Sequence, residues 1–359
     1  MSPATPSLRR FFSCVNGASF ATAPATKKKN LVFLGSPQVS VSVLDALLDS
    51  SSAPSSNFGV AAIVTQPASR RGRGRKTMPS PVAQRALEKG FPHELIFTPE
   101  RASEESFLFG LKDLNPDLCI TAAYGNILPH KFLEIPPYGT VNVHPSLLPL
   151  YRGAAPVQRA LEDGVKETGV SLSYTVRALD AGPIIASEKV EVDDYIKAPD
   201  LLSALFDRGA KLLVHEIPSI LDGSAKFKAY AQDNSKATFA PKLKAEESWV
   251  SFEQDAKHIH NKVRAFAGWP GTRARFQVFD GNGNRNTMET KIITTRVCKP
   301  SNDVLVDEDD IVFDGGSLLI PCAESTCLEV LELQLPGKRV MNSAEFWNGL
   351  RGQELKKSI

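Results

Sequence analysis

The sequence predicts an α/β fold. A Rossmann-like, mostly parallel sheet over residues 30–222 is joined by a linker at 223–244 to a smaller OB-like β-barrel over 245–359. Three observations carry that expectation. From residue 30 onward, short apolar runs alternate with helix-length stretches, the pattern of βαβ units. The runs are nearly continuous in apolar residues, as parallel strands covered on both faces require. Beyond residue 244 the rhythm changes to one helix and then short strands punctuated by Gly, Asn, Asp and Pro, which suits a small barrel.

The elements follow in order. LVFLG (31–35) is the opening strand, 39–48 the first helix, GVAAIVT (59–65) the second strand and 82–89 the second helix. ELIF (94–97), a helix at 103–114, DLCITAA (117–123) and VNVH (141–144) continue the series, followed by a helix at 155–162. GVSLSYTV (169–176) and IIASEKVEV (184–192) are two more strands before a long helix at 199–221. The stretch 223–244 is polar, with Gln232, Asp233, Asn234 and Ser235, and has weak periodicity. After it come a helix at 255–265, five short strands (ARFQVF, KIITTRV, DIVF, SLLI, LEVLELQL) and a closing helix at 343–350.

Composition narrows the function classes. Of 359 residues, 42% are hydrophobic and 23% charged, values of an ordinary globular chain that exclude collagen and wholesale disorder. No run of about 18 uninterrupted apolar residues occurs, so no membrane-spanning helix is expected. The five cysteines (Cys14, Cys119, Cys298, Cys322, Cys327) are odd in number and scattered, without a CxxC pair or zinc spacing. They read as small hydrophobes in a reducing compartment, and no metal site is expected. Residues 1–29 hold Arg9, Arg10, Lys27, Lys28 and Lys29, several serines and no acid. That is the composition of an organellar transit peptide, with the mitochondrion as destination and the plastid as the alternative. Its removal turns the net charge from +2 to −3, so nucleic-acid binding would need a local patch.

Several residues are candidates for chemistry. Only Gly35 follows the first strand, so neither GxGxxG nor a Walker lysine is present, which argues against NAD and ATP. Asn142 and His144 stand two apart at the carboxyl end of a strand, where period two places them on one face and where open α/β sheets bind ligands. A hydrogen-bond donor beside an imidazole suits oxyanion stabilisation and proton transfer at a carbonyl; a structural polar pair is the alternative. Asp180 lies in a turn marked by Gly182 and Pro183, where it would either orient a histidine or cap the turn. The segment 69–81 sets Arg70, Arg71, Arg73, Arg75 and Lys76 among glycines with no acid, a cationic loop fit to follow a phosphate backbone or simply solvated. Residues 257–299 carry nine cations against Asp280 and Glu289, which is either a basic face or a scattered surface.

The motifs LVFLGSPQ, GRGRKTMPSPV, AAYGNILP, NVHPSLLPLYRGAAPVQRAL, LDAGPII, RAFAGWPGTRA and LQLPGKRVM resemble methionyl-tRNA formyltransferases, and the likeness covers nearly everything after residue 30. The resemblance implies formyl transfer from 10-formyltetrahydrofolate, without metal, to the α-amino group of methionine on initiator tRNA, by a monomer. It implies catalytic roles for Asn142, His144 and Asp180. In that reading Asn142 and His144 hydrogen-bond the oxyanion, while Asp180 orients His144 and assists proton removal. Folate contacts fall on Ser146, Leu147, Leu148 and Pro149, and tRNA contacts on the loop at 68–77, which is expected to order only on tRNA. Pro145 stands where bacterial relatives commonly have Gly, and PASRR lacks their usual acidic residue. A sister enzyme acting on a small amine, or a formyl hydrolase, would keep the same trio.

Overall fold

The computed structural model describes residues 28–71, 76–298 and 309–358. The expected transit segment therefore lies outside the described residues except for Lys28 and Lys29. The first strand already begins at Lys29, whose Nζ pairs with Asp117 at 3.0 Å.

In chain order the first half comprises β1 (Lys29–Gly35), α1 (Val41–Ser51), β2 (Phe58–Val64), β3 (Ser69–Arg71), β4 (Lys76–Met78), α2 (Pro81–Glu88), β5 (Ile96–Phe97) and α3 (Glu105–Asp113). Next come β6 (Leu118–Ala122), α4 (His130–Leu133), β7 (Thr140–His144), β8 (Arg152–Gly153), α5 (Pro156–Glu162), β9 (Glu167–Tyr174), β10 (Ile184–Glu191) and α6 (Ala198–Leu221). The main sheet runs in the order β10-β9-β7-β6-β1-β2-β5. It is parallel from β5 to β7 and finishes with β9 and β10 antiparallel. From β1 the chain builds outward to β2 and β5, then crosses back to add β6 and β7 on the other side. That reversal opens a crevice at the carboxyl ends of β1 and β6.

Period two explains why the strands are apolar throughout. Leu31 and Phe33 face a core shared with α1 and α6, while Val32 and Leu34 face a second core with Phe107, Leu108 and Leu111 of α3. Each buried Leu or Phe adds about 1.5–3 kcal/mol. Helix starts are local: Ser80 Oγ accepts the Ala83 N–H at 3.0 Å ahead of Pro81 in α2.

The stretch expected to be a linker is built into the first half. It forms α7 (Ser224–Lys228) and β11 (Phe239–Ala240), and β11 pairs parallel with β8. The barrel half follows as α8 (Ala256–Ala265), β12 (Thr272–Phe279), β13 (Arg285–Cys298), β14 (Val312–Asp314), β15 (Ser317–Cys322), β16 (Thr326–Gln334), β17 (Val340–Asn342), α9 (Ser343–Gly349) and β18 (Glu354–Lys357). Its strands are antiparallel in the order β14-β15-β16-β13-β12-β18, with β17 on β16. A bridge between Asp310 and Lys356, with the Ile311 N–H on the Leu355 carbonyl at 3.2 Å, brings the β14 edge back to β18 and nearly closes the barrel. Among the described residues seven strands thus stand where five are expected. β17 and β18 are too short and polar to show a periodic signal, and closure of the sheet supplies their partners.

The halves share an apolar seam of Val157, Leu161, Leu201, Leu205, Leu243 and Phe266. Arg159 of α5 crosses it to Glu247 at 2.7 Å.

Candidate active site

β7 ends at the crevice side of the sheet and carries Asn142 and His144 on one face, as period two requires. Asn142 lies in register with Thr121 of β6, whose hydroxyl donates to Asn142 Oδ1 at 2.8 Å. This orients the amide, and its Nδ2 has no partner among the described residues. The side chain is half-buried at the mouth of the strand, so a donor is held ready for an incoming acceptor.

His144 is 4% exposed. Its Nε2 is 3.0 Å from the Tyr151 carbonyl. A carbonyl only accepts, so Nε2 carries the hydrogen, and in the neutral ring Nδ1 is the base nitrogen. Nδ1 faces Asp180 Oδ2 at 3.8 Å. That exceeds a hydrogen bond but lies within strong electrostatic reach, and such contacts commonly tighten when substrate binds. The expected role of His144 as an oxyanion donor thus meets a ring whose N–H is already engaged.

Asp180 adopts φ 45°, in the left-handed region that Asp tolerates better than most residues. Such a conformation persists only where its surroundings impose it. Here they do. Asp180 Oδ2 accepts the Gly153 N–H at 2.9 Å, and its carbonyl accepts from Gln232 Nε2 at 2.8 Å. Gly182 can only be glycine, because an added Cβ would sit 1.7 Å from the Tyr174 carbonyl oxygen.

Tyr151, Arg152 and Gly153 are therefore the common frame of the trio. Tyr151 holds His144, and Gly153 holds Asp180. The buried Arg152 donates to Gln232 Oε1 from Nε at 2.9 Å and from Nη2 at 2.7 Å. Arg152 Nη2 also donates to Asn234 Oδ1 at 2.9 Å, and Gln232 Nε2 reaches the Gly182 carbonyl at 2.7 Å. Sequence reasoning misses Gln232, Asn234 and Thr121. The first two sit in a polar stretch with no periodic or motif signal, and only the fold brings them to Arg152.

The SLLP segment leaves β7 as a braced loop. Ser171 of β9 donates to the Ser146 carbonyl at 2.8 Å and accepts the Leu148 N–H at 3.1 Å. The fully buried Ser146 donates to the Leu150 carbonyl at 2.6 Å. Leu147 and Pro149 are half-buried and Leu148 is 7% exposed, so this loop offers apolar surface and backbone.

In the basic segment, Arg73 and Arg75 lie outside the described residues. Arg70, Arg71 and Lys76 lie in the short antiparallel pair of β3 with β4, in which Arg71 stands directly opposite Lys76. The expectation that this segment orders only on tRNA is corrected at its stems, where ladder hydrogen bonds already form.

On the barrel the local positive excess is largely engaged. Lys257 pairs with Asp194, Arg275 with Glu289 and Arg296 with Glu329. Arg264 is buried on Asn261 and the Asp193 carbonyl. Arg275 also lies 4.2 Å from the ring centroid of Trp249. Among the described residues no cluster of His, Cys, Asp and Glu could hold a metal ion.

Fold and site together define a class. Residues 29–217 match the formyl transferase family and residues 242–351 its C-terminal domain. The methionyl-tRNA formyltransferase of Bacillus licheniformis is 35% identical over 319 residues, 89% of this chain and 94% of that protein. That of Dictyoglomus thermophilum is 36% identical over 327 residues, covering 89% and 97%. The chain belongs to the methionyl-tRNA formyltransferase family and is a transferase. Among solved structures, the sugar 3N-formyl transferase WlaRD, determined with dTDP and 5-N-formyl-THF, has TM-score 0.58 at 16% identity, covering 87% of this chain and 99% of that one. HypX from Aquifex aeolicus, in complex with tetrahydrofolic acid, has TM-score 0.55 at 15% identity, covering 90% and 47%. Both share the fold.

Proposed function

We propose that this enzyme transfers a formyl group from 10-formyltetrahydrofolate to the α-amino group of methionyl initiator tRNA, acting as a monomer in mitochondria. The oriented, unpartnered amide nitrogen of Asn142 carries the reading: it supplies the one donor that a formyl oxygen gathering negative charge needs. The braced 146–149 loop beside it suits the pterin of the folate, which when bound supplies the electrophilic formyl carbon.

The chain's own groups account for the rest. Asn142 Nδ2 donates to the formyl oxygen, and Thr121 keeps the amide from turning. His144 Nδ1 takes the proton released by the attacking amine and passes it to N10 as the formyl C–N10 bond breaks and tetrahydrofolate leaves, while Nε2–H stays on the Tyr151 carbonyl. Asp180 Oδ2, 3.8 Å away, stabilises the resulting imidazolium. The cations of 70–76 bind the acceptor-arm phosphates.

The test is formylation of methionine-charged initiator tRNA, with elongator tRNA as control. Wild type formylates the initiator, and Asn142→Ala lowers turnover ~100- to 1000-fold with folate affinity kept. Near-normal turnover in that variant overturns the assignment. The placement rests on the acid-free residues 1–29; a fluorescent reporter carrying them should enter mitochondria, and light scattering on the purified chain should give the monomer mass.

A further inference from the structure

Cys298 meets the sequence neighbours Cys322 and Cys327 at one end of the barrel. The β13–β16 register sets Cys298 directly opposite Cys327, and Cys298 Sγ donates to the Cys327 carbonyl at 3.4 Å. One strand over, Cys322 lies opposite Thr326 and packs into the barrel core. All three are free thiols. Residues directly opposite in an antiparallel pair project to the same face with Cα atoms about 4.5–5.5 Å apart. Disulfides span Cα separations of about 4.4–6.8 Å, so a rung of this spacing lies within disulfide reach.

We propose that Cys298 and Cys327 form a thiol-oxidation site that takes hydroperoxides and closes into a reversible cross-strand disulfide, stapling β13 to β16. Cys298 is half-buried whereas Cys322 and Cys327 are buried, so peroxide meets Cys298 first. The Cys298 thiolate attacks one peroxide oxygen, the O–O bond breaks, and water leaves behind a sulfenic acid. The Cys327 sulfur then attacks the Cys298 sulfur, the S–O bond breaks, and the departing hydroxide leaves with the Cys327 proton as a second water. Two thiols lose two electrons and two protons, and one hydrogen peroxide becomes two waters. Burial raises the Cys327 thiol and pushes Cys322 up to about 12, which keeps both protonated and slow toward peroxide themselves.

The staple joins the strand that also meets the other half of the molecule, through Lys197 on Thr294. The experiment treats the full chain with hydrogen peroxide, blocks remaining thiols and digests with a glutamyl endopeptidase. Cleavage after Glu308 and Glu324 separates the three cysteines. The expected product is a Cys298–Cys327 linked peptide pair that dithiothreitol releases, with the melting temperature raised by ~5 °C. Cys298→Ser and Cys327→Ser abolish both effects, while Cys322→Ser keeps them. Oxidation of Cys298 to sulfinic or sulfonic acid without a link, or a link to Cys322, overturns the proposal. Cys298→Ser, at a half-buried position, supplies the control even where Cys327→Ser fails to fold.

Discussion

At Gln232 the site shows how much of its precision is held from behind. One amide satisfies two carbonyls of the Asp180 turn and two donors of Arg152, so both of its N–H groups and both lone pairs of its oxygen are committed within a buried network. Gln232→Leu keeps the volume and removes every one of those bonds. It should lower kcat ~10- to 100-fold with little change in folate affinity, because Asp180 rather than the folate loop loses its support; single-turnover kinetics beside a folate titration measure both. Equal loss of folate affinity would assign Gln232 a merely structural role. The pairing of Asn142 with His144 is legible from the sequence, since period two at a strand end is a local rule. Asp180 is legible as a turn residue, but its left-handed backbone is not, and Gln232 carries no signal at all because its meaning depends on a contact across the fold.

The short β3–β4 pair shows what an element can add to a list of cations. Its register sets Arg71 against Lys76 in a segment that holds no acidic residue. A run of cations with no acid among them favours a polyanion such as a phosphate backbone. Arg70→Ala should make tRNA binding weaker and reduce the slope of log affinity against log salt by ~0.7–0.9, the loss of one phosphate contact; binding titrations over a salt series measure it. An unchanged slope removes Arg70 from the interface. Among the elements, those with long apolar runs (β1, β2, β6, β9) or a strong amphipathic period (α6) are readable from sequence. Two-residue pieces such as β8 and β11 are not, because they exist only through each other.

Across the whole molecule, the two halves meet through His260 of α8. Its Nε2 is 2.8 Å from the Asp194 carbonyl and its Nδ1 is 2.9 Å from Thr295 Oγ1, and the Tyr195 ring packs edge-on against it. Burial holds the imidazole below its ordinary 6.5, with Lys257 and Arg264 adding to the effect and Asp194 opposing it. Asp194 itself is drawn down to about 2 by Lys166 and Lys257 and stays charged throughout the relevant range. The unfolded chain therefore binds the His260 proton first. Stability from this contact is complete above pH ~6.5 and declines as the pH falls below it. Thermal melting between about pH 5 and 8 should show that decline, and His260→Gln should flatten it; identical pH profiles would remove His260 from the interface.

The pairing of β11 with β8 also redraws where this molecule can be divided. A chain ending at residue 222 would retain the whole main sheet and all of Asn142, His144 and Asp180, yet it would strand the Arg152 guanidinium and the Asp180 turn without their partners. The portable catalytic module thus extends through β11 to the buried Leu243. In the currency of gene fusion, a new recognition barrel can be grafted only after that point, and the seam available to evolution lies on the barrel side of the tether.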